Sequence, residues 1–142
     1  LAGTTALKTM KLTTWNDGDI TLGTPGASGF PDLKELNSIA IEASSTGAIT
    51  IGDLGTTTAI DNISSIAMTT QGAPINIGSI NAKKINNVIV SGEEFSSINI
   101  GAMTIEEEIS SFTLTGASEI TLGAFSGDGE VSLNASGMSK KA

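Results

Sequence analysis

The chain has 142 residues, enough for one domain, with seven basic against fifteen acidic residues and a formal net charge of −8. No basic stripe is present to neutralise phosphates, which argues against a nucleic-acid partner, and the same charge argues against an anionic membrane surface. With no Cys and no His, nucleophile–imidazole pairs and a disulfide framework cannot be built, and the common zinc sites are disfavoured.

Along the chain a two-part pattern recurs in one fixed order. The first part is apolar-x-x-apolar-x-apolar, and the second is I-x-[IL]-G, followed two residues later by another apolar residue. The first copy reads Leu7, Met10, Leu12, then Ile20-Thr21-Leu22-Gly23, where Pro25 takes the final place. The second reads Leu36, Ile39, Ile41, then Ile49-Thr50-Ile51-Gly52 and Leu54. The third reads Ile63, Ile66, Met68, then Ile75-Asn76-Ile77-Gly78 and Ile80. The fourth reads Ile85, Val88, Val90, then Ile98-Asn99-Ile100-Gly101 and Met103. The fifth reads Ile109, Phe112, Leu114, then Ile120-Thr121-Leu122-Gly123 and Phe125. A last half-turn, Val131 and Leu133, precedes the Lys140-Lys141 tail. The copies start 29, 27, 22 and 24 residues apart, which places repeats near 7–35, 36–62, 63–84, 85–108 and 109–133 of a single repeat domain.

Each part alternates apolar and polar with period two and is built from Ile, Val, Thr and Phe, the signature of a strand with one buried face. Gly, Asn, Asp and Ser punctuate between the parts, as turns require. Two short strands per 22 to 29 residues, repeated in order, predict an all-β fold: a parallel β-solenoid of about five turns. At ~4.8 Å per turn the rod is roughly 24 Å long. A β-sandwich is the competing architecture, and a curved coil resembling leucine-rich repeats is a variant of the solenoid. Lys83 to Asn87 and Ile105 to Ile109 are expected to form short helical turns. The Gly closing each copy marks a bend where a side chain would clash or φ is positive.

Several residues invite a chemical reading. The outward column Thr21, Thr50, Asn76, Asn99 and Thr121 suits a hydrogen-bonded ladder better than an ice-binding face, because its flanks, Asp19, Ala48, Pro74, Ser97 and Glu119, do not repeat Thr. Asn16-Asp17-Gly18-Asp19 and Gly127-Asp128-Gly129-Glu130 are acidic turns that resemble the Gly/Asp-rich nonapeptides of calcium-binding toxin-type repeats. Asp17, Asp19 and Asp128 are therefore the candidate calcium ligands, set against an ordinary turn. Glu106-Glu107-Glu108 and Glu93-Glu94 read as solvated corners. No two carboxylates are marked as sharing a cleft and substrate-gripping aromatics are scarce, so no enzymatic activity is expected. Trp15 reads as a cap or core filler, and Phe95, Phe112 and Phe125 as core.

The Thr/Ser/Ala/Gly/Asn-rich, Cys-free, acidic chain, with recurring I-T-I-G segments and Ser64-Ser65-Ile66-Ala67-Met68-Thr69, resembles solenoid regions of bacterial surface-layer proteins and large secreted adhesins. The resemblance runs from about Leu7 to Leu133. It implies an extracellular, cell-surface location, assembly into a lattice or filament of like subunits, and in many members calcium, although no cofactor is required by the residues themselves. No apolar run approaches the ~18 residues that cross a bilayer, so membrane insertion is not expected. The chain opens with Leu1 and shows no signal peptide, and it is read as a processed product or a piece of something longer. The expected function is a structural segment that self-assembles into a surface layer, sheath or filament. The alternative is an adhesin or phage-fibre module that recognises cell-surface glycans, and a polysaccharide-active solenoid enzyme stands third.

Overall fold

The computed structural model describes residues 6–15, 17–23, 26, 28–30, 32–44, 46–93, 96–116 and 119–138. Pro25, Phe95, Glu94, Asn16 and the Lys140-Lys141 tail, all singled out above, lie outside the described residues. In chain order the strands are β1 (Ala6–Thr14), β2 (Ile20–Leu22), β3 (Ser28–Phe30), β4 (Glu35–Ser44), β5 (Ile49–Ile51) and β6 (Asp53–Leu54). They continue as β7 (Ile60–Ile63), β8 (Ser65–Gln71), β9 (Ile75–Ile77), β10 (Ile80–Ile85), β11 (Val88–Gly92) and β12 (Ser97–Ile100). The last four are β13 (Met103–Gly116), β14 (Glu119–Leu122), β15 (Phe125–Ser126) and β16 (Glu130–Met138).

These strands coil into a parallel β-solenoid. Each circuit of the chain lays a tier on the one before it, and all strand pairings among the described residues are parallel. The one antiparallel contact among the described residues is an isolated bridge between Ser44 and Gly72. Hairpins, and with them the sandwich, are excluded. The first face stacks β1, β4, β8, β11, β13 and β16. The second stacks β2, β5, β9, β12 and β14. A third face of short strands, β3, β6, the start of β10, the start of β13, and β15, closes the coil where the sequence pattern shows only one apolar residue per copy.

The apolar columns follow the repeat residue by residue. On the first face Met10 pairs with Ile39, Ile39 with Ile66, Ile66 with Val88, Val88 with Phe112 and Phe112 with Leu133. On the second face Ile20, Ile49, Ile75, Ile98 and Ile120 form one column, and Leu22, Ile51, Ile77, Ile100 and Leu122 another. The inward side chains of the middle tiers form one continuous core, which also takes in Leu33 and Ala43. The x-x pair in the first part of each copy is where the strand bends. There two successive side chains point away from the core, and in the third tier the bend splits the strand into β7 and β8 around Ser64.

The glycines closing the second strand in the third, fourth and fifth copies, Gly78, Gly101 and Gly123, sit at a corner where tiers approach too closely for a side chain. A Cβ on Gly101 would lie 2.7 Å from the carbonyl carbon of Gly78, and one on Gly123 would lie 2.5 Å from that of Gly101. Close approach therefore selects glycine there, whereas Gly23 in the first copy has φ at 81°.

Three expectations are corrected. Lys83 to Asn87 and Ile105 to Ile109 are not helical: Lys83 to Ile85 belong to β10 and Ile105 to Ile109 to β13. The register between these strands shifts by one residue between Ala82–Ile105 and Lys84–Glu108. This β-bulge takes up an extra glutamate, so Ile105 and Ile109, four apart, stack on Ala82 and Ile85, three apart, and all four face inward. Trp15 is 73% exposed, not a core filler. Phe125 is 39% exposed in the last tier, although its ring meets buried Phe112 edge-on with centroids 6.2 Å apart.

Candidate functional site

Stacking in register puts each residue above its counterpart one copy earlier, so polar columns arise as directly as apolar ones. On the second face Thr21, Thr50, Asn76, Asn99 and Thr121 align. Within that column the Asn99 side-chain amide donates to Asn76 Oδ1 at 2.9 Å. At the bend of the first face, Ser64 Oγ donates to Asn37 Oδ1 at 2.7 Å.

The three candidate calcium ligands are distributed over both ends. Asp17 and Asp19 precede β2 in the first tier, whereas Asp128 precedes β16 in the last, so the fold does not bring the three together. Thr46 Oγ1 donates to Asp17 Oδ1, and the Ala48 amide donates to Asp19 Oδ1 at 2.7 Å. Both carboxylates are thus used to tie the first tier to the second. Among the described residues there is no group of three or more His, Cys, Asp or Glu side chains placed to hold a metal ion.

The carboxylate that is most deeply embedded was not among those candidates. Asp53 follows the corner glycine Gly52 and is 8% exposed. Its Oδ1 accepts the Ser79 amide at 2.7 Å from one neighbouring tier and the Gly26 amide at 3.2 Å from the other. Gly78 leaves the space for it: a Cβ there would meet that oxygen at 2.1 Å. The available signal was that Asp53 is the one acidic residue immediately after a corner glycine, where the other copies have Thr24, Ser79, Ala102 and Ala124.

The glutamate run is compensated by the tier beneath it. Lys83 Nζ lies 2.5 Å from Asp61 Oδ1, and Lys84 Nζ lies 2.5 Å from Glu108 Oε1. The hydrogen bond and charge of Asp61 raise the Lys83 ammonium above its ordinary range, with smaller help from Glu106 and Glu107. Glu108 raises Lys84 in the same way. The Lys84 hydrogen bond, followed by that of Ser110, lowers the Glu108 carboxyl. All four side chains are substantially exposed, so these pairs cancel repulsion within a column more than they add stability.

The last tier differs from all the others. The whole of β16 is exposed except its final residue, with Leu133 at 51% and Val131 at 36%. Their counterparts one tier inward, Phe112 and Ile109, are 0% and 1% exposed. Among the described residues β14, β15 and β16 each pair with a single strand. At the opposite end β1, β2 and β3 also have single partners, but Met10 and Phe30 are buried there and Leu7 and Leu12 are half-buried, whereas on the second face Ile20 and Leu22 are half-buried just as Ile120 and Leu122 are in the last tier. A shallow depression outside the first face, lined by Lys11, Ala40, Glu42, Ala67 and Thr69 among others, holds one carboxylate. Comparison with protein-family models, with curated proteins and with solved structures found no match.

Replacing Asp53 with Ala removes the acceptor for two amides and is expected to cost about 1–3 kcal/mol in chemical denaturation, with Asp53→Asn costing less because it keeps an acceptor. The Lys84–Glu108 pair carries a definite pH signature. Its carboxyl is lowered in the folded state, so its contribution is complete above the ordinary carboxylate range and is lost as pH falls through the depressed value. Its ammonium is raised, so that contribution is complete below the ordinary lysine range and is lost as pH rises through the elevated value. The difference in Tm between the native chain and Lys84→Gln should be flat around neutrality. It should shrink below about pH 4 and again above about pH 10.5.

Proposed function

We propose that the chain is a structural segment of an extracellular assembly, a surface layer, sheath or filament, in which the stacked coil is the working part and the ends are the contacts. The observation that carries this reading is the last tier. It presents Val131, Leu133 and Phe125 to solvent together with three strand edges, and strand edges of this kind invite pairing with another chain. Polar ladders along the flank support it too, because Thr and Asn columns repeat from tier to tier and can continue as tiers are added. Asp17 and Asp19 already serve the fold as acceptors, so in this reading calcium is an accessory ligand and not a requirement.

Sedimentation velocity over a range of concentrations, with electron microscopy of the same samples, tests the assignment. Concentration-dependent growth into elongated or sheet-like particles is expected. A species that stays monomeric at the highest soluble concentration would remove the basis for it.

A further inference from the structure

We propose that copies of this chain stack head to tail, the last tier of one (β14, β15 and β16) receiving the first tier of the next (β1, β2 and β3). The pairing continues the register that joins tiers within the chain. This rests on the reading of the chain as a self-associating segment and specifies its contact.

Strand direction comes first. Every tier joins its neighbour by parallel pairing, so continuing the coil requires the first tier of a second copy on the last tier of the first. A two-fold contact between two last tiers would set β16 antiparallel to itself and oppose the direction of every ladder. Head-to-tail contacts of this type do not close on themselves unless the rotation returns to its start, and they build rods.

Side chains continue across the join without a change of type. Val131 and Leu133, two apart, would meet Leu7 and Met10, three apart, across a one-residue bulge like the one with which Ile109 meets Val131 and Phe112 meets Leu133. Ile120, Thr121 and Leu122 would meet Ile20, Thr21 and Leu22, residues already at equal positions of the second face. Phe125 would meet Phe30, which ends the same column through Leu54, Ile80 and Met103. Val131, Leu133 and Phe125, the large apolar residues left exposed in the last tier, are thereby covered.

Charge is complementary at the first face. Glu130 stacks in register on Glu108, whose own cation, Lys84, sits one tier further in. In the continued register Ala6 lies over Glu130, since Ala6 and Glu130 occupy the position of Glu35 and Glu108 in their tiers. Lys8, exposed and two residues along, then stands diagonal to Glu130 at a separation that long side chains bridge. On the second face Glu119 would stand over Asp19, but the Asp19 carboxylate is turned inward to the Ala48 amide. With a charge of −8 on every copy, the association should strengthen as salt screens the general repulsion.

The test uses the chain at about 0.15 M and 1 M salt, read by sedimentation velocity and electron microscopy. Rods that lengthen with salt are expected for the native sequence. Leu133→Glu should leave the circular dichroism unchanged and abolish growth, and it should shorten native rods when mixed with them by capping one end. Lys8→Glu should raise the dissociation constant by ~2–5-fold, and the charge swap Lys8→Glu with Glu130→Lys should restore it. Ile89→Glu, on the outer surface of the first face, should have no effect. If Ile89→Glu abolishes association and Leu133→Glu does not, copies meet side to side: head-to-tail stacking is then wrong while the structural role stands. A swap that restores nothing overturns the register. If the native chain is monomeric at both salt concentrations, this proposal and the structural reading fall together.

Discussion

Parallel, in-register hydrogen bonding between tiers is the constraint from which the other features follow. It holds successive copies of the chain about 4.8 Å apart, and at that distance each residue must tolerate its counterpart above and below. Isoleucine and its relatives satisfy the condition by packing on themselves, which is why the inward columns are so uniform. Glycine satisfies it at the corner between the second and third faces, where Gly78, Gly101 and Gly123 each occupy a place that a Cβ would share with backbone atoms of the tier before. Asparagine satisfies it by donating to its own kind, as Asn99 does to Asn76. Charges satisfy it least well, because stacked like charges repel. The chain answers with Asp61 against Lys83 and Glu108 against Lys84. Asp53 works from inside the same constraint, with one oxygen accepting from the tiers on both sides.

The constraint has a consequence at the ends. A middle tier has neighbours on both sides, and its apolar residues are buried by residues of the same kind. The last tier carries the same pattern, Val131 and Leu133 in the places of Ile109 and Phe112, with one neighbour only. Its exposure therefore results from position and not from composition, since the apolar residues are still present. In a solenoid, stability is the sum of repeat and interface contributions, so covering that tier brings the stabilisation an inner tier already has. That is the physical basis for the proposal that copies meet at their end tiers.

Much of this architecture was legible because stacking writes itself into the sequence as repetition. Leu7 repeats as Leu36 and Ile66 as Val88, and the pairings fall on those residues. The third face was less visible because its strands are short and expose one recurring apolar position, Leu54, Ile80 or Met103, too little to show a period. Ile105 and Ile109 imitated a helical spacing because a bulge inserts one residue between them, and no local rule separates those two cases. Trp15 and Phe125 read as buried in the sequence because hydrophobicity records what a side chain prefers, not whether a tier lies over it. Asp53 escaped notice because its partners, Gly26 and Ser79, lie 27 and 26 residues away in sequence and are joined to it only by the coil. Asp17 and Asp19 were recognised as acidic turn residues, but their use as acceptors for Thr46 and Ala48 depends on the tier above them.

Hydrogen–deuterium exchange of the monomeric chain, resolved by peptide, measures the dependence of each tier on its neighbours most directly. Protection should be highest for the middle tiers, from Ile63 to Ile100, and should fall through β13 to its lowest in Glu130–Met138, where one side of the strand is open. Uniform protection across all tiers, or a Glu130–Met138 segment in the monomer as protected as β8 and β11, would contradict a coil in which each tier depends on the tiers stacked against it.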